Sequence, residues 1–202
     1  LQYAIFKNTG LITFHGPVSI STFSSFSNKN FRNVLLNPSD ELELENSKTG
    51  NNFNPYGIKV ISDGIAEGEL VGGNLSIVVS LIGTEYDIDF SNKIMFLEEF
   101  VEEPYRIDRM LTQMIQAGKF ENASGVALGV FKLCEPDKTN PAFDDSFTLM
   151  EVLEDRLGKL GVPVVYGLSF GHVSDKFTLP FGIKAEVNSE TKQIKLLESG
   201  VL

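Results

Sequence analysis

The chain has few of the side chains that build metal and disulfide sites. Among its 202 residues there are one cysteine, two histidines and no tryptophan. A lone cysteine, Cys134, cannot close an internal disulfide, and no metal-ligand spacing surrounds it. We interpret it as an inert packing or surface residue. Because His15 and His172 lie far apart in the sequence, no metal site is predicted.

Positive charge is also scarce. The chain carries 17 Lys and Arg against 27 Asp and Glu, which gives a formal net charge of -10. Nucleic acids, anionic membranes and polyanionic substrates attract basic surfaces, so none of them is predicted as a partner. No apolar run is long enough to span a bilayer. The hydrophobic share of 42% instead indicates one good-sized globular domain.

What is present favours an α/β fold. Residues 94–166 alternate apolar strands with amphipathic helices, which is the pattern of a parallel core sheet with crossover helices. One hairpin is predicted around Asp63-Gly64 and another across residues 188–192, and these would add an antiparallel layer. Residues 19–56 are rich in Ser and Asn, and this composition predicts loops and short strands.

The first ten residues have the pattern of a helix end. Leu1, Ala4 and Ile5 share one helical face, and Gly10 is typical of the position just past a helix C-terminus. No Ser, Asp or Asn precedes the segment as an N-cap. We therefore expect this helix to begin upstream of Leu1, with residues missing before it.

Residues 167–171, Gly-Leu-Ser-Phe-Gly, match the G-x-S-x-G turn that carries the nucleophile of many hydrolases. In that class a helix follows the turn, and its N-terminus helps to hold the oxyanion. Here the following residues show no helical stripe, and Pro180 and Gly182 interrupt them. The histidines also stand in the wrong order relative to the serine. Ser169 is therefore not predicted to be a nucleophile.

Two other residues are better candidates for chemistry. His172 follows a predicted parallel strand, at the edge of the sheet where α/β proteins bind ligands. An unperturbed histidine pKa of about 6.5 suits a general base. Glu98 ends another apolar strand in the same layer, where a carboxylate can orient an imidazole. The structural alternative for His172 is a histidine that only caps a strand. The sequence offers no convincing nucleophile.

Several stretches together resemble the LD-carboxypeptidase (muramoyltetrapeptide carboxypeptidase) family of serine peptidases, peptidase family S66. That family also includes the microcin C7 self-immunity peptidases. The resemblance covers nearly the whole chain. Its stretches are TGLITFHGP (9–17), GELVGGNLSIVVSLIGTEYDID (68–89), IMFLEEFVEEPYRIDRMLTQMIQAGKF (94–120), ALGVF (127–131) and PVVYGLSFGHVSDKFTLPFGIKAEV (163–187). Any one of them is weak, but the set is specific.

The resemblance implies a Ser-Glu-His triad and a two-domain enzyme. Glu98, in the run Leu-Glu-Glu, takes the role of the family's glutamate, and His172, in Phe-Gly-His, that of its histidine. The family's serine lies in a flavodoxin-like N-terminal domain, missing here, and would fall shortly before Leu1. Residues 1–10 are then the tail of the helix that follows the nucleophile turn. Residues 11–202 form the C-terminal domain, of the swivelling β/β/α type.

The resemblance also implies the reaction and its setting. The serine would attack the L,D bond to the terminal D-Ala of a murein tetrapeptide, releasing D-Ala in peptidoglycan recycling. This implies a cytoplasmic homodimer that needs its own N-terminal domain and no cofactor or metal. Gly73 and Asn74 are the candidate substrate-binding residues, with a helix cap as the alternative for Asn74. His15 is interpreted as structural.

Two other functions stay open. An immunity-type peptidase would cleave an aminoacyl-nucleotide toxin, and its site would bring an aromatic side chain to stack on the base. The absence of tryptophan counts against that function. A non-catalytic domain would bind cell-wall peptides without cleaving them. The presence of both Glu98 and His172 argues against that second alternative.

Overall fold

The computed structural model describes residues 1–21, 23–37, 39–48, 54–141 and 145–201. Its helices are α1 (Gln2–Thr9), α2 (Ser25–Leu36), α3 (Leu75–Ser80), α4 (Pro104–Gln116) and α5 (Leu149–Leu157). Its strands are β1 (Thr13–His15), β2 (Leu42–Leu44), β3 (Lys59–Ser62), β4 (Ile65–Asn74), β5 (Lys93–Glu98), β6 (Gly125–Leu128), β7 (Val164–Tyr166), β8 (Leu179–Phe181), β9 (Lys184–Asn188) and β10 (Gln193–Leu196).

A mixed sheet of eight strands, in the order β2-β10-β9-β4-β5-β6-β7-β3, forms the centre of the described chain. Its middle strands β4, β5, β6 and β7 are parallel neighbours, joined in turn by α3, α4 and α5. Helix α4 packs against both α3 and α5, as expected when crossovers of one hand join successive parallel strands and put their helices on one face. The predicted α/β class and parallel core are confirmed.

The antiparallel strands extend this same sheet at both edges. The C-terminal hairpin of β9 and β10 pairs across residues 188–192, as predicted. The predicted hairpin at Asp63-Gly64 is wrong, because β3 pairs with β7 and not with β4. Both edges of β4 are occupied, by β5 on one side and β9 on the other. The stretch of β4 next to Asp63-Gly64, residues 65–69, pairs with β9, and residues 69–74 pair with β5.

The opposite face of the sheet carries a smaller layer. Strands β1 and β8 form a separate two-stranded antiparallel sheet. From α1, Tyr3 and Phe6 pack on Phe181 of β8, and Phe181 in turn contacts Phe96 of β5. Helix α1 ends at Gly10, whose φ of 69° is the left-handed conformation that the sequence predicts there.

Helix α2 corrects the prediction of loops and short strands for residues 25–36, whereas the short strand β2 confirms it at residues 42–44. Ser24 caps it by accepting a hydrogen bond from the backbone N–H of Ser27. Ser27 is fully buried, and its hydroxyl donates to the carbonyl of Ser174, 147 residues away. This Ser- and Asn-rich helix therefore depends on a distant contact, which local composition does not reveal. The part of the prediction on residues 49–53 lies outside the described residues.

The helices of the core begin where local signals place them. Asn74 caps α3, Pro104 occupies the first turn of α4, and Thr148 forms a full capping box with Glu151 at the start of α5. Helix α3 is short, with Leu75 and Val78 buried, and Ile77 on its outer side is 59% exposed. Within the described ranges, no helix has the length and hydropathy needed to cross a bilayer.

Candidate active site

A cavity of about 490 Å³ opens at the carboxyl ends of the parallel strands, where ligands bind in α/β sheets. Glu98 is the last residue of β5, and Lys132 and His172 lie on the segments that follow β6 and β7. The lining residues are Gln2, Phe14, His15, Gly16, Val18, Ile20, Ser21, Glu98, Phe100, Lys132, Gly171, His172 and Lys176. The cavity therefore joins the end of the sheet to the β1 layer.

Glu98 and His172 meet in this cavity. Oε2 of Glu98 lies 2.8 Å from Nδ1 of His172. The Glu98 side chain is 1% exposed, whereas the His172 side chain is 50% exposed. Oε1 of Glu98 accepts no hydrogen bond from the described part of the chain. Burial raises the pKa of Glu98, and the hydrogen bond to His172 opposes that rise.

The approach of His172 to Glu98 requires a glycine. Gly171 has a φ of 108°, which side chains other than hydrogen rarely allow. A Cβ at this position would lie 3.0 Å from both Glu98 Oε2 and the carbonyl oxygen of Val130. The imidazole of His172 also stacks on Phe100, with ring centroids 4.8 Å apart and planes 9° from parallel. The ring is thus held at Nδ1 and along one face.

His15 forms another wall of the same cavity. Its ring lies 5.5 Å from that of Phe96. Burial, together with the nearby charges of His172 and Lys176, lowers the pKa of His15 to about 4. His15 is therefore an uncharged imidazole at neutral pH. Its place between Phe96 and the cavity is compatible with the predicted structural role.

Comparison with known proteins identifies the family. The model of the LD-carboxypeptidase C-terminal domain matches residues 67–187. The chain belongs to this family. The probable murein peptide carboxypeptidase of Bacillus subtilis strain 168 is 36% identical over an alignment of 206 residues that covers 100% of this chain and 60% of that protein. The microcin C7 self-immunity protein MccF of Escherichia coli is 25% identical over an alignment of 223 residues that covers 98% of this chain and 62% of that protein.

The fold agrees with that of a solved relative. The crystal structure of the muramoyltetrapeptide carboxypeptidase from Oxalobacter formigenes has a TM-score of 0.77 and 32% identity to this chain. It covers 96% of this chain, which in turn covers 63% of it. The chain thus spans about three fifths of the length of the family members it matches.

Gly73 and Asn74, predicted to bind substrate, lie at the end of β4 beside β5. Both polar ends of the Asn74 side chain are engaged, since Oδ1 caps α3 at Ile77 and Nδ2 donates to Glu99 Oε1. Gly73 has a φ of 145°, and, its chain neighbours aside, no atom of the described residues lies within 4 Å of the position of a Cβ there. The cap on α3 matches the structural alternative for Asn74, and substrate binding by either residue stays a prediction.

Ser169 has the surroundings of a structural residue. It is 5% exposed, and its hydroxyl accepts a hydrogen bond from the backbone N–H of Ser47. Its own N–H donates to the side chain of Asn46. Among the described residues, Glu98 is the one side chain that is hydrogen-bonded to His172. No hydroxyl in the described part of the chain is hydrogen-bonded to His172.

The structure also brings three residues into the site that sequence reasoning did not single out. Phe100, Lys132 and Lys176 all line the cavity beside the Glu98–His172 pair. Phe100 could have been found from its position just past the apolar strand that ends at Glu98. Cys134 is buried, and this burial raises the pKa of its thiol to about 12, as expected of an inert residue. The described residues contain no cluster of His, Cys, Asp and Glu that could hold a metal ion.

Proposed function

We propose that this chain is the C-terminal domain of a serine-type LD-carboxypeptidase, with Glu98 and His172 as two members of its triad. The observation that carries this proposal is the 2.8 Å hydrogen bond between a buried carboxylate and a half-exposed imidazole. Such a carboxylate fixes the tautomer of the ring and stabilises the imidazolium that forms during acyl transfer. Because Nδ1 faces Glu98, Nε2 is left for the reacting groups.

The proposed reaction gives His172 the role of general base and then of general acid. His172 Nε2 takes the proton of a serine hydroxyl supplied from upstream of Leu1, and the serine oxygen attacks the carbonyl carbon of the L,D bond. His172 then returns the proton to the amine of the leaving D-Ala, and an acyl-enzyme ester remains. Water, deprotonated by His172, cleaves the ester and frees the tripeptide and the serine. The substrate in this proposal is a murein tetrapeptide.

The setting of the enzyme is part of the same proposal. Release of D-Ala from tetrapeptides is a step in peptidoglycan recycling, which takes place in the cytoplasm. Residues 1–10 would follow the nucleophile turn, and residues 11–202 would close on the upstream domain. The whole enzyme would be a homodimer. In this proposal Gly73 and Asn74, at the end of β4 beside Glu98 of β5, contact the substrate.

The test measures D-Ala release from L-Ala-γ-D-Glu-diamino acid-D-Ala. The protein with its upstream domain is compared with its Glu98→Gln variant and with the 202-residue chain alone. We expect Glu98→Gln to lower kcat by about 10³- to 10⁴-fold. The chain alone, without the serine, should lose activity on the order of a million-fold.

Each alternative gives a different result in this assay. A parent inert on the tetrapeptide but active on an aminoacyl-nucleotide would assign the immunity-type function instead. A parent that binds the tetrapeptide without cleaving it would be a binding module. Full activity of the isolated chain would contradict the proposed upstream nucleophile. The nucleophile would then be one of the hydroxyls within these 202 residues.

A further inference from the structure

The charge of the cavity differs in sign from that of the chain. The whole chain has a net charge of -10. Two lysines, Lys132 and Lys176, nevertheless line the cavity, and Glu98 is the one carboxylate among its described lining residues. Glu98 is buried and already bonded to His172. An anion that enters the cavity therefore meets lysine side chains and no exposed carboxylate.

Lys132 is held firmly at its backbone. Its N–H donates to the carbonyl of Glu99, and its own carbonyl accepts a hydrogen bond from the N–H of Val101. Its ammonium nitrogen lies 5.4 Å from the centroid of the Phe100 ring, the same ring on which His172 stacks. Lys132, Phe100 and His172 thus form one connected group along the cavity wall.

Lys176 is anchored from another direction. Its backbone N–H donates to Ser27 Oγ, so a buried side chain in the first turn of α2 fixes the segment that carries this lysine. Within the described ranges, no carboxylate oxygen lies within 4 Å of its ammonium nitrogen. Burial lowers the pKa of Lys176, the nearby Lys132 lowers it further, and Glu98 opposes the shift. A partly desolvated ammonium gains from a bound anion.

We propose that Lys132 and Lys176 bind the free carboxylate of the amino acid that the enzyme releases. This inference rests on the proposed function. His172 must protonate the leaving amine, and in a carboxypeptidase substrate one carbon atom separates that amine from the terminal carboxylate. The group that receives the carboxylate must therefore lie in the same cavity as His172, as these lysines do. They would thus restrict cleavage to the end of a peptide.

The test compares two substrates on the protein with its upstream domain. One is the murein tetrapeptide with a free terminal carboxylate, and the other is the same peptide ending in D-alaninamide. Lys132→Met and Lys176→Met keep the apolar stems and remove the charges. Each should lower kcat/KM on the free acid by roughly 10- to 100-fold and leave kcat/KM on the amide nearly unchanged. Lys176→Arg, which keeps the charge, should recover part of the loss.

Lys159→Met is the matched control, because Lys159 is an exposed lysine just past the end of α5. It should change neither substrate's kcat/KM. Equal losses on acid and amide in the Met variants would overturn the proposal and leave the carboxypeptidase function standing. A wild-type protein that cleaves acid and amide equally well would also overturn it. A wild-type protein that cleaves neither would contradict the proposed function itself.

Discussion

Glu98 and Glu99 are neighbours in the chain and both are buried, yet their surroundings differ. Glu99 accepts four hydrogen bonds: from Asn74 Nδ2, from the N–H and the hydroxyl of Ser76, and from the N–H of Phe100. Glu98 is bonded to His172 through one oxygen, while its other oxygen has no partner among the described residues. One carboxylate is fully satisfied by the fold and the other is not.

The alternation of side chains along a strand explains this difference. Residues two apart on a strand share a face. Phe96 contacts His15 and Phe181 on the β1 side of the sheet, and Glu98, two residues later, points to that same side and reaches His172. Glu99 turns to the helical side, where it meets α3. The fold therefore uses one carboxylate to hold a helix and leaves the other for chemistry.

The largest effect is expected from Glu98→Gln, which has the size and shape of the native side chain. Activity should fall by about 10³- to 10⁴-fold, because a neutral amide no longer stabilises imidazolium. The free energy of unfolding at pH 7 should rise, because the variant no longer buries an ionised carboxylate. The cost of that burial is what raises the pKa of Glu98. D-Ala release and urea unfolding measure the two quantities.

The stability gain of Glu98→Gln should depend on pH with a definite sign. The folded-state pKa of Glu98 is raised, so the wild type loses stability as pH increases from about 4.5 through that pKa. The gain of the variant should therefore be small at pH 4 and largest above the folded pKa. A gain that shrinks as pH rises would contradict the raised pKa.

The adjacent substitution, Glu99→Gln, should act on stability. Four donors converge on Glu99, and an amide would turn an NH₂ group toward at least one of them. We expect the free energy of unfolding to fall by about 2–3 kcal/mol, measured by urea denaturation. The folded fraction should keep far more activity than Glu98→Gln does. Equal loss of activity in both variants would contradict the division of roles.

Asn74→Ser tests one of the hydrogen bonds that hold Glu99 on the helical side of the sheet. Serine keeps an oxygen that can cap α3 but loses the Nδ2 donor to Glu99. We expect a loss of about 1–2 kcal/mol in the free energy of unfolding. If the role of Asn74 is purely structural, the KM for the tetrapeptide should be unchanged. A KM raised several-fold, with kcat retained, would instead support the predicted contact with substrate.

The smallest effect is expected from Ser169→Ala. Activity should stay within about twofold of wild type, since Ser169 bonds to Ser47 and not to His172. The free energy of unfolding should fall by about 1 kcal/mol, because the Ser47 N–H loses its acceptor. Ser80→Ala, at an exposed position on α3, is the matched control for loss of a hydroxyl. Loss of activity on the scale of Glu98→Gln would make Ser169 the nucleophile after all.

Part of the site could be predicted because its signals are local. Glu98 follows four apolar strand residues, and His172 follows a glycine after another apolar strand, so both were expected at the same end of the sheet. Lys132 and Lys176 carried no comparable signal, because isolated lysines in an acidic chain are usually solvated. Their place in the cavity depends on contacts with Phe100 and Ser27.

Local sequence signals were enough to predict the end of α1 at Gly10, the cap of α3, the C-terminal hairpin and the alternation of strands and helices in the parallel core. Each of these depends on residues a few positions apart, whose backbone preferences and periodicity can be read directly. Two features are seen only in the tertiary structure. Strand β3 pairs with β7 and not with β4, and the hydrogen bond from Ser27 to the carbonyl of Ser174 anchors α2. Both features are contacts between segments that are far apart in the sequence. The local pattern of either segment alone does not indicate its distant partner.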